Sequence, residues 1–291
     1  MPHTVAEVNR VIETLWPLDG AESWDAPGLL SGDPAAPVER IHLAVDAVAD
    51  VADEAIALRA DLLLTHHPLL LRGVTAVAED RYKGAVLARL IRAGCALVAA
   101  HTNADVVETG TSAVLAAKLG LIGATPLAEA NGDRGIGRVG RLRAPLALGT
   151  LAASLGEILP ETAGGIRVSG DFDAPIETIA LCGGAGDHYL GVAAAAGADV
   201  YITSDLRHHP ASEFRETAKL TGGPALIDIS HWASEWLWLD TAAEELRGAL
   251  DGVIVTVSDL RTDPWDFVIV QSHTIGKAPR MTATRTTEET V

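Results

Sequence analysis

The feature that most limits what this chain can fold into is the alternation of short apolar runs with helix-length amphipathic stretches. Residues 41–45 read as a strand, 48–59 as a helix, 61–65 as a strand, 83–93 as a helix, 96–100 as a strand and 111–119 as a helix. Strands separated by helices of this length define βαβ units and a mostly parallel sheet. The alternation resumes later. Residues 178–182, 199–203 and 225–228 are strand-like, and 189–196, 211–219 and 231–250 are helical. A strand is expected at 253–257, and 267–270 reads as another.

Between these blocks lies a Gly-rich region, 121–173, with short strand-like pieces at 136–142 and 165–168 and a helix over 148–159. At the start, Val5, Val8, Ile12 and Leu15 are spaced three and four apart, which predicts an amphipathic helix stopped at Pro17. Trp24-Asp25-Ala26-Pro27-Gly28 reads as a loop.

The two blocks look like copies. Ala60-Asp61-Leu62-Leu63-Leu64-Thr65 matches Ala198-Asp199-Val200-Tyr201-Ile202-Thr203, and Ala96-Leu97-Val98 matches Ala225-Leu226-Ile227. His66 and His67 then fall opposite Ser204 and Asp205, while His101 falls opposite His231 and Asp105 opposite Glu235. The expected fold is therefore α/β, with two pseudo-repeat βαβ lobes on mixed, mostly parallel sheets. Lobe one is expected over 1–125, lobe two over 126–270, and a disordered, Thr-rich tail over 271–291.

Composition narrows the function classes. With a formal charge of −17, the chain has no general attraction to phosphate backbones, so nucleic-acid binding is disfavoured. No apolar run reaches the length of a membrane span, and the start has no basic stretch followed by an apolar block. Two well-separated cysteines, Cys95 and Cys182, suit a reducing cytoplasm better than a disulfide framework.

Chemistry concentrates in a few side chains at the carboxyl ends of strands, where α/β proteins keep their sites. His66 and His67 end one strand; His101 and Asp105, and His231 and Glu235, repeat a His-x-x-x-acid pattern. Four-residue spacing at a helix start puts His231 and Glu235 on one face. Adjacent histidines point apart on an extended backbone, which suits two neighbouring ions better than one. Three imidazoles and two carboxylates, one of them bridging, make a sensible two-metal inventory, and zinc, iron, manganese, cobalt and nickel all fit it. Taken singly, a His–His pair or an i,i+4 His–Glu pair is more often structural or solvated. His208-His209-Pro210 repeats the His-His-Pro string without an obvious role.

Five strings occur in order: Leu64-Thr65-His66-His67-Pro68, His101-Thr102-Asn103-Ala104-Asp105, Cys182-Gly183-Gly184-Ala185-Gly186, Tyr201-Ile202-Thr203-Ser204-Asp205 and Ile227-Asp228-Ile229-Ser230-His231. With Trp24-Asp25 and Gly28-Leu29, they resemble the NIF-three-like family, also called GTP cyclohydrolase type-two homologues, over about residues 5–268. No large insertion separates the halves, so the chain is similar to the short form. The resemblance implies a two-lobed α/β fold, a dinuclear metal centre and a toroidal homohexamer. It implies the metal ligands His66, His67, Asp105, His231 and Glu235, with Glu235 as the bridge. His101 and His209 match family positions that are not ligands, and are expected to contact substrate or support the ligands. Asp205 is expected to hold a ligand histidine in its tautomer.

Two departures stand out. Asp187 and His188 replace small hydroxyl residues after Gly186, and a carboxylate there weakens an anion-cradle reading of that turn. Ala26 replaces an amide. The expected function is a metal-dependent hydrolase of a nucleotide-like or phosphorylated small molecule. Attack on GTP itself finds no P-loop string or basic cluster to support it. The alternative is a non-catalytic metal-binding scaffold that works through partners.

Overall fold

Leu62-Leu63-Leu64-Thr65 is buried at every position, so this strand must be covered on both faces. A parallel sheet with helices on either side supplies that cover. The computed structural model describes residues 2–269. In chain order the first part holds β1 (His3–Thr4), α1 (Val5–Leu15), β2 (Gly28–Ser31), β3 (Pro37–Val38), β4 (Arg40–Ala44), α2 (Ala49–Ala57), β5 (Leu62–Thr65), α3 (Tyr82–Ala93), β6 (Ala96–Ala99), α4 (Thr102–Asp105) and α5 (Thr111–Lys118). Next come β7 (Ile122–Thr125), β8 (Ala128–Asn131), β9 (Arg134–Ile136), β10 (Arg138–Ala147), α6 (Leu148–Ile158) and β11 (Arg167–Ser169). The last part is β12 (Pro175–Ala185), α7 (Leu190–Ala195), β13 (Val200–Ser204), α8 (His208–Thr221), β14 (Ala225–Ile229), α9 (His231–Ala249) and β15 (Ile254–Val257).

Two sheets carry the structure. The first has the order β15-β4-β5-β6-β2, parallel except for β2. The second has the order β11-β14-β13-β12-β10-β7, with β12, β13 and β14 parallel and the outer strands antiparallel. β15, although the last of the described strands, lies beside β4 in the first sheet. Between the sheets runs α9, which packs on α1, α5, β4, β12 and β15. Its fully buried Trp238 meets Trp16 edge-on at 5.1 Å.

The internal repeat extends to hydrogen bonding. Asp61 Oδ2 accepts from the backbone N–H groups of Glu39 and Arg40 at 2.8 and 2.9 Å, and Asp199 Oδ2 accepts likewise from Glu177 and Thr178 at 2.9 and 2.7 Å. Each aspartate thus locks the start of its own strand to the preceding one. The strand registers also agree, with Ile41, Leu62 and Ala96 in line in one sheet and Ile179, Val200 and Ala225 in the other. Counted along those strands, however, His101 occupies the position of Ser230 rather than His231. Both residues immediately precede a helix.

Two local expectations need correction, and one element was not expected. The stretch after the strand at 96–100, expected to be a loop over 101–105, is not one. Ala104 N and Asp105 N both donate to His101 O, at 2.8 and 3.1 Å, which winds α4 into a helical turn. Residues 267–269 are not a strand, and Val270 lies outside the described residues. That segment is drawn to the site by Thr262 and Asp263, and Pro264 has no N–H to give a ladder. The β8–β9 hairpin emerges from the Gly-rich region without a strand pattern to announce it. The tail expected over 271–291 also lies outside the described residues.

α1 starts as expected. Thr4 and Glu7 form a reciprocal capping box, in which Glu7 N donates to Thr4 Oγ1 at 3.2 Å and Thr4 N donates to Glu7 Oε2 at 2.8 Å. Among the described residues, no helix is long and apolar enough to cross a membrane.

Candidate metal centre

Strand ends of both sheets and the start of α9 deliver side chains to one place. The end of β5 supplies His66 and His67; the chain after β4 supplies Asp46. His101 and Asp105 flank and end α4. His231 and Glu235 lie one turn apart on α9, whose N-cap Ser230 Oγ accepts from Ala233 N at 3.2 Å. Asp205 follows β13 in a left-handed conformation at φ 56°.

The atoms converge. His66 Nε2 lies 3.5 Å from Glu235 Oε1 and 3.8 Å from Asp105 Oδ1. His67 Nε2 is 3.0 Å from Glu235 Oε2, and His231 Nε2 is 2.9 Å from Glu235 Oε1. His67 Nε2 and His231 Nε2 stand 3.2 Å apart. Donor atoms of His67, His231 and Glu235 fall within 4.8 Å of one another, as do those of His66, His67 and His101. Asp105 sits just beyond these groups, with Thr111 Oγ1 donating to its Oδ1 at 2.5 Å.

Each imidazole is held from behind by its other nitrogen. His66 Nδ1 donates to Ala100 O at 2.9 Å, His67 Nδ1 to Asp46 Oδ1 at 2.7 Å, His231 Nδ1 to Asp205 Oδ2 at 2.7 Å and His101 Nδ1 to Asp25 Oδ1 at 2.8 Å. A proton on Nδ1 leaves a lone pair on Nε2. In His66, His67 and His231 those lone pairs face Glu235 and one another. Without a cation or added protons between them they would repel.

Two further observations fit a metal ion to these residues. His66 Nε2 and Glu235 Oε2 are buried and make no hydrogen bond, although each lies within ion-pair distance of a partner, Glu235 Oε1 at 3.5 Å and His67 Nε2 at 3.0 Å. Gly184 also approaches so closely that a Cβ there would lie 2.5 Å from Glu235 Oε1. The field at the site is cation-seeking. Burial alone pushes the His67 imidazolium toward losing its proton, but Glu235 and Asp46 outweigh it and raise its pKa to about 10. Burial likewise opposes charge on His231 and on Glu235; their mutual attraction wins, raising His231 and lowering Glu235 well below the carboxylate range.

His101 belongs to this neighbourhood, its ring 5.1 Å from that of His66 and 5.4 Å from that of His67. His209 does not. It is exposed in the first turn of α8, and its ring meets only that of His208 among the described aromatic contacts. Asp205 holds His231 as expected. Asp187 is engaged by Arg207 Nε at 2.6 Å, so its carboxylate faces a cation rather than an anion site. Asp46 escaped the sequence reading, and Asp25 entered it only within the Trp24-Asp25 string, with no role assigned; the one signal for Asp46 was an acid at the carboxyl end of a strand next to the His-His strand.

Asp25 accepts from His101 Nδ1, from Thr102 N at 3.0 Å and Thr102 Oγ1 at 2.5 Å, and from Ala26 N at 2.7 Å. Burial pushes its pKa up, but these donors bring it down to about 2. A carboxylate depressed on folding contributes stability above its unfolded pKa and loses it as pH falls through the folded one. Asp25→Asn is therefore expected to destabilise the protein by about 1–2 kcal/mol at pH 7. The difference in urea midpoint from the parent should shrink as pH drops from about 4 to 2; a difference unchanged across that interval would refute the assignment.

A two-sheet α/β architecture with a buried histidine–carboxylate cluster at its strand ends defines the class. The chain belongs to the Duf34/NIF3 (NGG1p interacting factor 3) family, whose model matches residues 3–264. A Streptomyces coelicolor protein described as a GTP cyclohydrolase 1 type 2 homolog is 45% identical, across 93% of this chain and 96% of its own. A Clostridium perfringens protein of the same description is 32% identical, across 90% and 98%. A solved Staphylococcus aureus structure superposes with a TM-score of 0.81 at 27% identity, covering 92% of this chain and all of that one. A Bacillus cereus protein related to NIF3 reaches a TM-score of 0.84 at 23% identity over the same share, which is a likeness of fold.

Proposed function

We propose that this chain binds two divalent transition-metal ions and is a metal-dependent hydrolase of nucleotide-like or phosphorylated small molecules. His66, His67, Asp105, His231 and Glu235 would be the ligands, with Glu235 between the ions. The observation that carries the reading is the convergence of His66, His67 and His231 Nε2 on the buried Glu235 carboxylate, with His66 Nε2 and Glu235 Oε2 left without a hydrogen bond, in a cluster whose imidazoles are all oriented from outside. Bound ions of this kind acidify a shared water and polarise the bond under attack.

The chain's own groups have separable tasks. Ala100 O, Asp46 and Asp205 fix the imidazole orientations. Glu235 supplies a buried negative charge to both sides. His101, steadied by Asp25, stands at the edge of the cluster, placed to exchange a proton with a ligand. A cavity of about 700 Å³ opens beside His67 and His231 and gives a substrate access. The homohexamer belongs to the same reading, supported by the family resemblance. The cytoplasmic location is supported by Cys95 and Cys182, which are both buried and in no disulfide.

Turnover of phosphoesters or nucleotides by metal-loaded protein, lost in a folded His67→Ala variant, is the expected result. One observation favours a second reading, the non-catalytic scaffold. The cluster ties the end of β5 in the first sheet to α9 and, through Asp205, to β13 in the second. Ions there would staple the two sheets together. Unfolding on chelation with no turnover of any substrate would favour that reading. Asp46→Asn separates orientation from ligation. It keeps the shape but weakens the grip on His67 Nδ1, and metal affinity is expected to fall about 10–100-fold by competition titration with a chelator. An unchanged affinity would remove Asp46 from the account.

A further inference from the structure

After β15 the described chain runs on as a strap without regular structure. Its root is fixed by the buried Ser258, whose N–H donates to Leu43 O at 2.8 Å and whose Oγ donates to Glu54 Oε2 at 2.5 Å. A few residues further on, two neighbouring side chains reach the surroundings of the histidine cluster. Thr262 Oγ1 donates to Asp46 Oδ2 at 2.5 Å, and Asp263 Oδ2 accepts from Ser230 Oγ at 2.6 Å. The other oxygen of Asp263 accepts from Trp265 N at 3.1 Å, so that carboxylate is held on both sides.

Each contact lands one step behind a proposed ligand. Asp46 Oδ1 holds His67 Nδ1 at 2.7 Å. A carboxylate bonded through one oxygen can still turn about its last torsion, which is broad and soft. The Thr262 hydroxyl on the second oxygen removes that freedom and fixes the plane that aims His67. Ser230 is the N-cap of α9, and its hydroxyl has one proton to give. Giving it to Asp263 leaves the oxygen lone pairs free to accept from Ala233 N at 3.2 Å. The first turn of α9, which begins at His231, is thereby set from the same segment. We infer that Thr262 and Asp263 are positioning residues of the metal centre, and that this strap aims His67 through Asp46 and His231 through the cap of α9. One short stretch of chain then controls a ligand at the end of β5 and a ligand on α9. The consequence for metal affinity rests on the proposed metal centre; the geometry concerns the two imidazoles alone.

The test uses the full chain, with its metal counted as purified and zinc as the probe in competition with a chromophoric chelator. Thr262→Val keeps the shape and deletes the hydroxyl; Thr262→Ser keeps the hydroxyl and deletes the methyl group. Thr262→Val should weaken zinc about threefold or more, short of the 10–100-fold that follows loss of a ligand's direct partner. Thr262→Ser should bind as the parent does. Asp263→Ala should weaken zinc in the same direction as Thr262→Val. In crystal structures of the same proteins, the Asp46 carboxylate of Thr262→Val should be rotated and the His67 ring tilted with it. Neither Thr262 nor Asp263 is buried, so neither change opens a core cavity, and circular dichroism checks the fold. Parent-like zinc affinity in both Thr262→Val and Asp263→Ala overturns the inference and leaves the metal centre standing. So does the reverse pattern at position 262, with Ser weakening zinc and Val not, because that marks packing of the methyl group. A parent chain that takes up no metal contradicts the metal centre; the crystal structures then decide the strap by themselves, and an unmoved His67 in Thr262→Val overturns it.

Discussion

Glu235→Gln is expected to empty the metal centre. The residue is 3% exposed on α9, and its two oxygens reach all three proposed histidine ligands at 2.9–3.5 Å. Among the described residues, no other carboxylate pairs with all three. The amide keeps the volume, so packing against neighbouring residues survives, but the charge that the proposed ions would share is gone. Loss of a group that merely orients a ligand costs about 10–100-fold in affinity; loss of the shared ligand should exceed 100-fold. Elemental analysis after gel filtration should find the variant largely metal-free. Saturating metal at a thousand times Kd stabilises a protein by about 4 kcal/mol, so the rise in Tm on metal addition should disappear as well. A Glu235→Gln protein with a full metal complement would remove Glu235 as the bridge.

Gly184→Ala is expected to damage the site through the backbone. Gly184 has φ +69°, and an added Cβ would lie 2.5 Å from Glu235 Oε1 and 3.3 Å from His231 Nε2. The left-handed conformation costs an alanine about 1–2 kcal/mol. The closer contact can be relieved only by moving Glu235, which lies between α9 and the cluster, or by bending β12. Metal affinity should fall at least tenfold alongside a lowered urea midpoint. Gly191→Ala serves as the control, because it lies in α7 with nothing within 4 Å of its added Cβ. It should leave metal binding alone and hold or slightly raise stability. Equal metal affinity in parent and Gly184→Ala would show that the close approach has no bearing on the site.

These expectations rest on residues of different visibility in the sequence. The parallel cores were plain, since Leu62-Leu63-Leu64 and Tyr201-Ile202 are apolar runs of strand length between amphipathic helices. His66, His67, His231 and Glu235 were plain too, because adjacent histidines at a strand end and an i,i+4 pair at a helix start carry their own geometry. Asp105 was found by pattern although its short helix was not. Thr102-Asn103-Ala104-Asp105 is too short and polar to show a helical period, and it winds because His101 O gathers two backbone donors.

What stayed hidden depends on contacts between distant segments. Asp46 and Asp25 look like ordinary loop acids until the fold carries His67 and His101 to them from 21 and 76 residues away. Gly184 sits in a Gly-rich string that says nothing of which glycine is indispensable. The pairing of β15 with the first sheet, and the turn of residues 262–268 toward the cavity, are long-range outcomes that no local propensity encodes. His209 shows the limit of a string match. Its His-His-Pro setting repeats that of His67, but it lies in a helix start facing solvent rather than at a buried strand end.

The most direct measurement is a crystal structure of protein purified without added metal, with anomalous data collected across the absorption edges of manganese, iron, cobalt, nickel and zinc. The account predicts two anomalous peaks roughly 3.5–4 Å apart, one on each side of the Glu235 carboxylate, with His66, His67, Asp105 and His231 completing their coordination. A well-ordered Glu235 flanked by water alone, after the protein has also been offered each metal in turn, would contradict it.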